Sequence, residues 1–325
     1  MELTSKKRLQ LYAGRSNPAL AAEVAECLDI ALGDPQIVDF ANGEIRCTFS
    51  ESVRGSDVFI LQTHAYTVND SIMEQLIMID AAKRASAKRI TAVIPFFGYA
   101  RQDRKAEGRQ PITAKLVADM LETAGADRVV SVDLHSGQIQ GFFNIPVDHL
   151  TAQPVLVDYL KGPLGPGPGC VVVSPDTGRV KVAERFGKHL DSDVASVYKR
   201  RAKNSVNQVE ARGILGDVAG RCCVLIDDMV DTGGTLCAAA DLLFAAGATD
   251  VLAVATHGVL SGPAIDRIKN SRISKLVITN TLPLPSEKQI DKIEVLSVAP
   301  LLAQAIHAVF SDSSVSEIFG GENLA

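Results

Sequence analysis

The chain has 325 residues, is 46% hydrophobic and 22% charged, and carries a formal net charge of −5. That length fits two domains with a sizeable core, and the acidic balance argues against broad nucleic-acid binding while leaving room for a local basic patch. There is no apolar run of about 18 residues to span a membrane, and the start of the chain (Met1 to Lys7) lacks the apolar stretch of a signal peptide. A cytoplasmic protein is expected, its six scattered cysteines serving as small core residues rather than as a disulfide framework or a zinc site.

Strand and helix patterns alternate along the chain, which predicts an α/β fold built on parallel sheets. Residues 9–14 read as a strand into a turn, 18–28 as a helix, 57–62 as a strand and 70–85 as a helix. Residues 89–97 form the next expected strand, 113–124 a helix, and 129–133 a strand ending in Leu134-His135. A Pro/Gly-rich run at 161–169 reads as a surface loop, and the domain boundary is placed just before it, giving domains 1–150 and 151–325. The second domain is expected to place strands at 170–174, 194–198, 222–226, 251–256 and 276–278. A late helix at 300–309 is expected to pack back on the first domain. The strand-helix-strand pattern of residues 56–94 is echoed at 221–255, which suggests two similar halves, the first without the acids and double glycine of the second.

The most informative stretch runs from Cys222 to Thr235. Five apolar residues lead into Asp227 and Asp228, followed by Asp231-Thr232-Gly233-Gly234-Thr235 and a helical pattern. Backbone N–H groups at such a helix start bind phosphate, and the glycines allow a close approach. Carboxylates repel a bare phosphate. They suit a sugar phosphate, whose hydroxyls they accept and whose Mg²⁺ they can hold. Residues 231–235 therefore read as a phosphate grip, and Asp227 with Asp228 as the diol and metal end. An ordinary strand-to-helix turn with Asp caps explains the loop but not the adjacent acids.

Other segments carry possible chemistry. Arg101, Arg104, Lys105 and Arg109 form a basic stretch after a strand, suited either to solvent or to closing over a polyphosphate. His135 follows a strand end and could meet Mg²⁺ or a phosphate oxygen. Asp176 ends another strand, as a metal ligand or an N-cap. Lys199, Arg200 and Arg201 put cations at a further strand end, and residues 40–44 form a turn with an exposed aromatic.

The 222–235 loop resembles the phosphoribosyl-pyrophosphate loop of type I phosphoribosyltransferases. Taken together, the segments resemble the ribose-phosphate pyrophosphokinase family over nearly the whole chain. The matching motifs include the Phe40 turn, Arg101-Gln102-Asp103-Arg104, residues 133–143, Ser174-Pro175-Asp176, Lys199-Arg200-Arg201, the 224–235 loop, residues 256–263 and Ser314-Val315-Ser316. The resemblance implies two phosphoribosyltransferase-like domains. It implies transfer of the diphosphate of ATP to the 1-hydroxyl of ribose 5-phosphate with Mg²⁺, giving AMP and the phosphoribosyl pyrophosphate used for nucleotides, histidine and tryptophan. It implies ATP contacts at Phe40, Asn42, Gly43, Glu44, Arg101, Gln102 and His135, and metal-linked positions at His135 and Asp176. It assigns catalysis to Lys199, Arg201 and Arg104, and the ribose 5-phosphate site to Arg201, Asp227, Asp228 and 231–235.

A homo-oligomer, a hexamer by the same resemblance, is expected, with apolar residues 139–146 as a surface without an intrachain partner. Two features depart from the pattern: the long Pro/Gly run at 161–169, and Glu317 where an aromatic is frequent, which bears on subunit contacts or regulation. Two rivals remain. A non-catalytic regulatory homologue is disfavoured by intact site residues, and a phosphoribosyltransferase by the basic loop and the Phe40 turn.

Overall fold

The structure is a computed structural model that describes residues 7–65, 67–162, 165–200 and 211–319, with the backbone alone at 199, 200, 211 and 212. The chain forms two compact units. One comprises Met1–Thr151, Thr281–Pro283 and Val298–Ala325, the other Ala152–Asn280 and Leu284–Ser297.

The first unit contains β1 (Leu9–Ala13), α1 (Pro18–Cys27), β2 (Leu32–Gly33), β3 (Pro35–Asp39), β4 (Ile45–Phe49), β5 (Asp57–Leu61) and α2 (Val68–Arg84). It continues with β6 (Arg89–Ile94), α3 (Thr113–Ala124), β7 (Arg128–Val132) and β8 (Val147–Leu150). The second unit holds α4 (Gln153–Lys161), β9 (Val171–Ser174), α5 (Val180–Leu190), β10 (Asp193–Arg200), β11 (Ala211–Leu215), β12 (Cys222–Val230) and α6 (Gly234–Ala245). Then come β13 (Asp250–Gly258), α7 (Ala264–Asn270), β14 (Lys275–Thr279) and β15 (Ile293–Leu296), and α8 (Ala299–Phe310) belongs to the first unit.

The first sheet runs β2-β1-β5-β6-β7-β8 with every pairing parallel. The second runs β11-β10-β9-β12-β13-β14-β15, parallel except for the β10–β11 hairpin. Without β11, the two orders are the same once strands are matched in chain order. β5 therefore corresponds to β12, as the sequence echo implies. Each sheet reverses direction of winding once, between β1 and β5 and between β9 and β12. Ligands of open α/β sheets bind at the carboxyl edge of such a point.

Continuous apolar strands follow from burial on both faces. Along β12, Cys223 and Leu225 enter one core cluster while Val224 and Ile226 enter another across the sheet. The strand is longer than expected: it runs on through Asp227 and Asp228 to Val230, because its ladder with β13 continues to Val230↔Gly258. β10 likewise extends through Lys199 and Arg200, paired with β11. The structure also corrects the reading of 139–146 as an unpartnered surface. Ile139 is buried, and Phe142, Phe143 and Ile145 pack into the first unit's core. The six cysteines are free. Among the described residues no helix is long and apolar enough to cross a membrane.

His64 is fully buried after β5. Its Nδ1 accepts the Gly98 amide at 3.0 Å, which fixes the proton on Nε2, donated to Gln75 Oε1 at 2.8 Å. A Cβ on Gly98 would lie 2.9 Å from His64 Cβ, so glycine permits this contact. Burial pushes the imidazole down to about 4 from 6.5. Below 6.5 the unfolded chain takes a proton that the folded chain refuses, so stability present above 6.5 is lost as pH falls toward 4. The expected loss is about 3 kcal/mol from this group. Urea unfolding of wild type and His64→Asn across pH 7 to 4 checks it: the variant, which keeps an acceptor for Gly98, should lose less stability by roughly that amount.

Candidate active site

In the second unit the site begins with two neighbouring strand ends. β9 and β12 pair directly, so the segments that follow them emerge side by side at the carboxyl edge. After β9, Asp176 caps a short 3₁₀ turn, Thr177–Arg179, its Oδ1 accepting the Gly178 amide at 2.8 Å. The N-cap reading of Asp176 is thus realised. Its side chain is exposed, which keeps it accessible to a cation as well.

The turn delivers Arg179, which the sequence reading missed. Its Nη2 lies 2.5 Å from Asp228 Oδ2, and its Nε lies 3.7 Å from Asp227 Oδ1. Consecutive strand residues point to opposite faces, yet one guanidinium reaches both carboxylates across its width. Asp227 Oδ1 also accepts the Asp228 amide at 2.9 Å. Burial and the neighbouring Asp228 charge raise the Asp227 carboxyl above its usual range, with Arg179 opposing them. The signal that could have found Arg179 is its place three residues past Asp176, at the edge where the acids end β12.

The loop after β12 is fastened at its start and open toward the helix. Ser261 donates its amide to the Asp231 carbonyl at 3.0 Å and its hydroxyl to the Asp231 carboxylate, and Arg267 Nη1 donates to the Thr232 carbonyl at 3.0 Å. Gly233 sits at φ 72° as the N-cap of α6, a left-handed conformation that disfavours a side chain. The amides of Gly234, Thr235 and Leu236 form the first turn of α6, where no intrahelical acceptor exists. A helix start of this kind suits an anion, and two acids lie just upstream.

β10 pairs with β9 only as far as Ser196↔Ser174 and then continues to Arg200. Four further residues, about 13 Å of strand, carry the β10–β11 hairpin beyond the end of β9. Lys199 lies in this arm, opposite Arg212 on β11. Arg201, predicted to be catalytic, lies outside the described residues.

In the first unit, β3 and β4 form a separate two-stranded sheet. Its turn holds Phe40 to Glu44: the Phe40 amide donates to the Glu44 carbonyl at 2.8 Å, Gly43 to Phe40 at 2.8 Å, and the Glu44 amide to Asn42 Oδ1 at 3.1 Å. The Phe40 ring is exposed, with the Arg46 guanidinium 5.7 Å from its centroid. β6 and β7 are adjacent, so the basic loop and the His135 segment also emerge together. Ser136 Oγ donates to Asp103 Oδ2 at 2.6 Å, tying the two. Thr113 Oγ1 donates to Gln102 Oε1 at 2.6 Å, and the Gln102 amide donates to the Tyr99 carbonyl at 2.8 Å, closing the neck of the loop. Arg101 within the neck and Arg104, Lys105 and Arg109 beyond it are exposed. His135 is half-buried, and the preceding Leu134 amide donates to His149 Nε2 at 2.9 Å.

Residues 9–125 match the family model for the N-terminal domain of ribose phosphate pyrophosphokinase, and 195–320 match the phosphoribosyl synthetase-associated domain. A ribose-phosphate pyrophosphokinase of Streptomyces avermitilis is 55% identical over 319 residues, covering 98% of each chain. The chain belongs to the ribose-phosphate pyrophosphokinase family. Another relative of that name, from Clostridium acetobutylicum, is 52% identical over 97% of this chain and 98% of its own. The crystal structure of phosphoribosylpyrophosphate synthetase from Mycobacterium smegmatis superposes with a TM-score of 0.87 at 51% identity, covering 94% of this chain and all of that one. The two units are phosphoribosyltransferase-like domains, in keeping with that likeness.

Proposed function

We propose that this protein is a cytoplasmic ribose-phosphate diphosphokinase, which moves the terminal diphosphate of ATP onto the 1-hydroxyl of ribose 5-phosphate. The observation that carries the reading is the full-length identity of 55% with a ribose-phosphate pyrophosphokinase. The cradle at 231–235 supports it, because a helix start behind paired acids suits a sugar phosphate better than a bare phosphate.

In this reading the α6 amides and the loop from Asp231 through Thr232, Gly233, Gly234 and Thr235 hold the 5-phosphate, and Asp227 and Asp228 accept from the ring hydroxyls. Phe40, Asn42, Gly43 and Glu44 hold adenine, with Arg101, Gln102 and His135 on the rest of ATP. The 1-hydroxyl oxygen forms a bond to the β-phosphorus, the bond from that phosphorus to the α,β-bridging oxygen breaks, AMP leaves, and the hydroxyl proton passes to solvent. Charge grows on the β-phosphoryl oxygens and the leaving α-phosphate. Lys199, Arg201 and Arg104 are the cations assigned to meet it, since positioning and charge neutralisation supply most of such catalysis.

Among the described residues no three His, Cys, Asp or Glu side chains converge as a cage. Mg²⁺ usually takes one or two protein ligands beside substrate phosphates and water. His135 in the first unit and the exposed Asp176 in the second are the metal-linked positions that the family resemblance gives. When bound, Mg²⁺ supplies charge neutralisation on the phosphates. An assay with ATP, ribose 5-phosphate and Mg²⁺, with and without a purine base, tests the reading: base-independent AMP formation supports it. Pyrophosphate release that requires base and phosphoribosyl pyrophosphate points to a phosphoribosyltransferase instead.

A hexamer built from dimers is proposed on the family likeness, and exposed Met73, Leu116 and Leu215 are apolar surface available to it. Light scattering at micromolar concentration should give a multiple of the 34.6 kDa chain, six-fold for the hexamer. A monomer would rule this out.

A further inference from the structure

A two-stranded ribbon is marginal by itself, so the aim of the Phe40 turn depends on what fastens the ribbon. Its far end is held by apolar packing, with the Phe49 ring 4.5 Å from the Tyr12 ring and Ile37 and Cys47 against the core. The end next to the turn is held by charge. Asp39, the last residue of β3 and the one before Phe40, accepts from both terminal nitrogens of Arg15, at 2.6 and 2.8 Å. Arg15 is itself anchored: its Nε donates to Glu74 Oε2 at 2.6 Å and its amide to Glu74 Oε1 at 2.7 Å. Glu74 on α2 is only 4% exposed, and Gln62 Nε2 donates to it at 2.9 Å. Gln62 Oε1 in turn accepts from Ser16 Oγ at 2.6 Å.

These groups line a cavity of about 730 Å³ at the carboxyl edge between β1 and β5. Its buried polar side chains bond within the wall itself: Glu74 to Arg15 and Gln62, Gln62 also to Ser16 and the Ser71 carbonyl, and Ser71 to the Val68 carbonyl. The wall is therefore built as a fastening. Glu74 has already oriented the guanidinium, so the fork meets Asp39 preorganised, which a lysine could not do.

We propose that Arg15 is a positioning residue for ATP, holding the Phe40–Glu44 turn in its binding conformation through Asp39. This rests on the reading of that turn as the adenine site. Apparent affinity falls in proportion to the fraction of molecules with the turn correctly placed, while turnover at saturation is unaffected.

Asp39→Ala is the clean test, because the Asp39 side chain is 53% exposed and the Arg15–Glu74 pair survives its loss. At salt near physiological strength it should raise KM for ATP about five-fold and leave kcat and KM for ribose 5-phosphate within about two-fold. Asp39→Glu, which keeps the fork partner, should restore KM. Removing a negative charge near polyanionic ATP would by itself lower KM, so an unchanged or lowered value for Asp39→Ala overturns the proposal. Phe40→Ala measured in parallel separates the two readings. If Phe40→Ala weakens ATP and Asp39→Ala does not, the clamp alone fails; if Phe40→Ala leaves ATP binding unchanged, the adenine assignment fails and the clamp with it.

Discussion

Lys199→Ala should lower kcat by roughly 10²–10³-fold, by analogy with the loss of one preorganised donor to developing charge. KM for either substrate should change far less, because the contact strengthens in the transition state. The melting temperature should hardly move. The geometry that motivates this is the reach of β10 beyond the end of β9, which carries Lys199 on an antiparallel arm past the sheet edge. A folded Lys199→Ala enzyme turning over within a few-fold of wild type would pass the role to Arg201 or to the arginines of the 101–109 loop.

Arg179→Met should be the most costly single change in the proposed ribose 5-phosphate site. It leaves Asp227 and Asp228 side by side without the cation that now reaches both. Removing one partner of a largely buried pair typically costs about 3–5 kcal/mol. Arg179 and Asp228 are both largely buried, so a loss of about 3 kcal/mol near pH 8 is expected. The sign with pH follows from Asp227, whose folded carboxyl already titrates above its unfolded value. A group raised in this way favours the folded state at low pH, and that contribution is lost as pH rises through the folded value. Without Arg179 the folded value rises further. Below the wild-type folded value Asp227 is protonated in both proteins, so the deficit relative to wild type should be smallest and flat there and grow as pH rises above that value. Paired urea titrations at two pH values measure this, and a deficit independent of pH would contradict it. Affinity for ribose 5-phosphate should fall along with stability.

Much of this site was legible in the residues because local chemistry determines it. The apolar run into Asp227-Asp228 and the double glycine before a helical pattern dictate a buried strand, a left-handed turn at Gly233 and a helix start. The strands of both sheets are continuous apolar runs because both faces are covered, and the echo of 56–94 in 221–255 became the matching strand order of the two sheets.

What escaped reading depends on partners distant in sequence. The Asp227-Asp228 pair lies within β12 rather than after it, since the ladder to β13, and not the polarity of the acids, decides where the strand stops. Arg179 is one of many basic residues until β9 and β12 are known to be neighbours. Arg15 and Asp39 are separated by α1 and β2, so their clamp depends on how the ribbon folds back on α2. Residues 139–146 look like an apolar surface until the core that takes Ile139 and Phe143 is in place.

The central claim is diphosphoryl transfer, and the fate of the β-phosphorus tests it most directly. The purified enzyme would be given ribose 5-phosphate, Mg²⁺ and ATP labelled at the β-phosphorus, and the products separated. The label should appear in the sugar product, attached through the 1-oxygen and still bonded to a second phosphate, with unlabelled AMP formed in equal amount. Label retained in ADP, with a single phosphate on the sugar, would mean simple γ-phosphoryl transfer and would contradict the account.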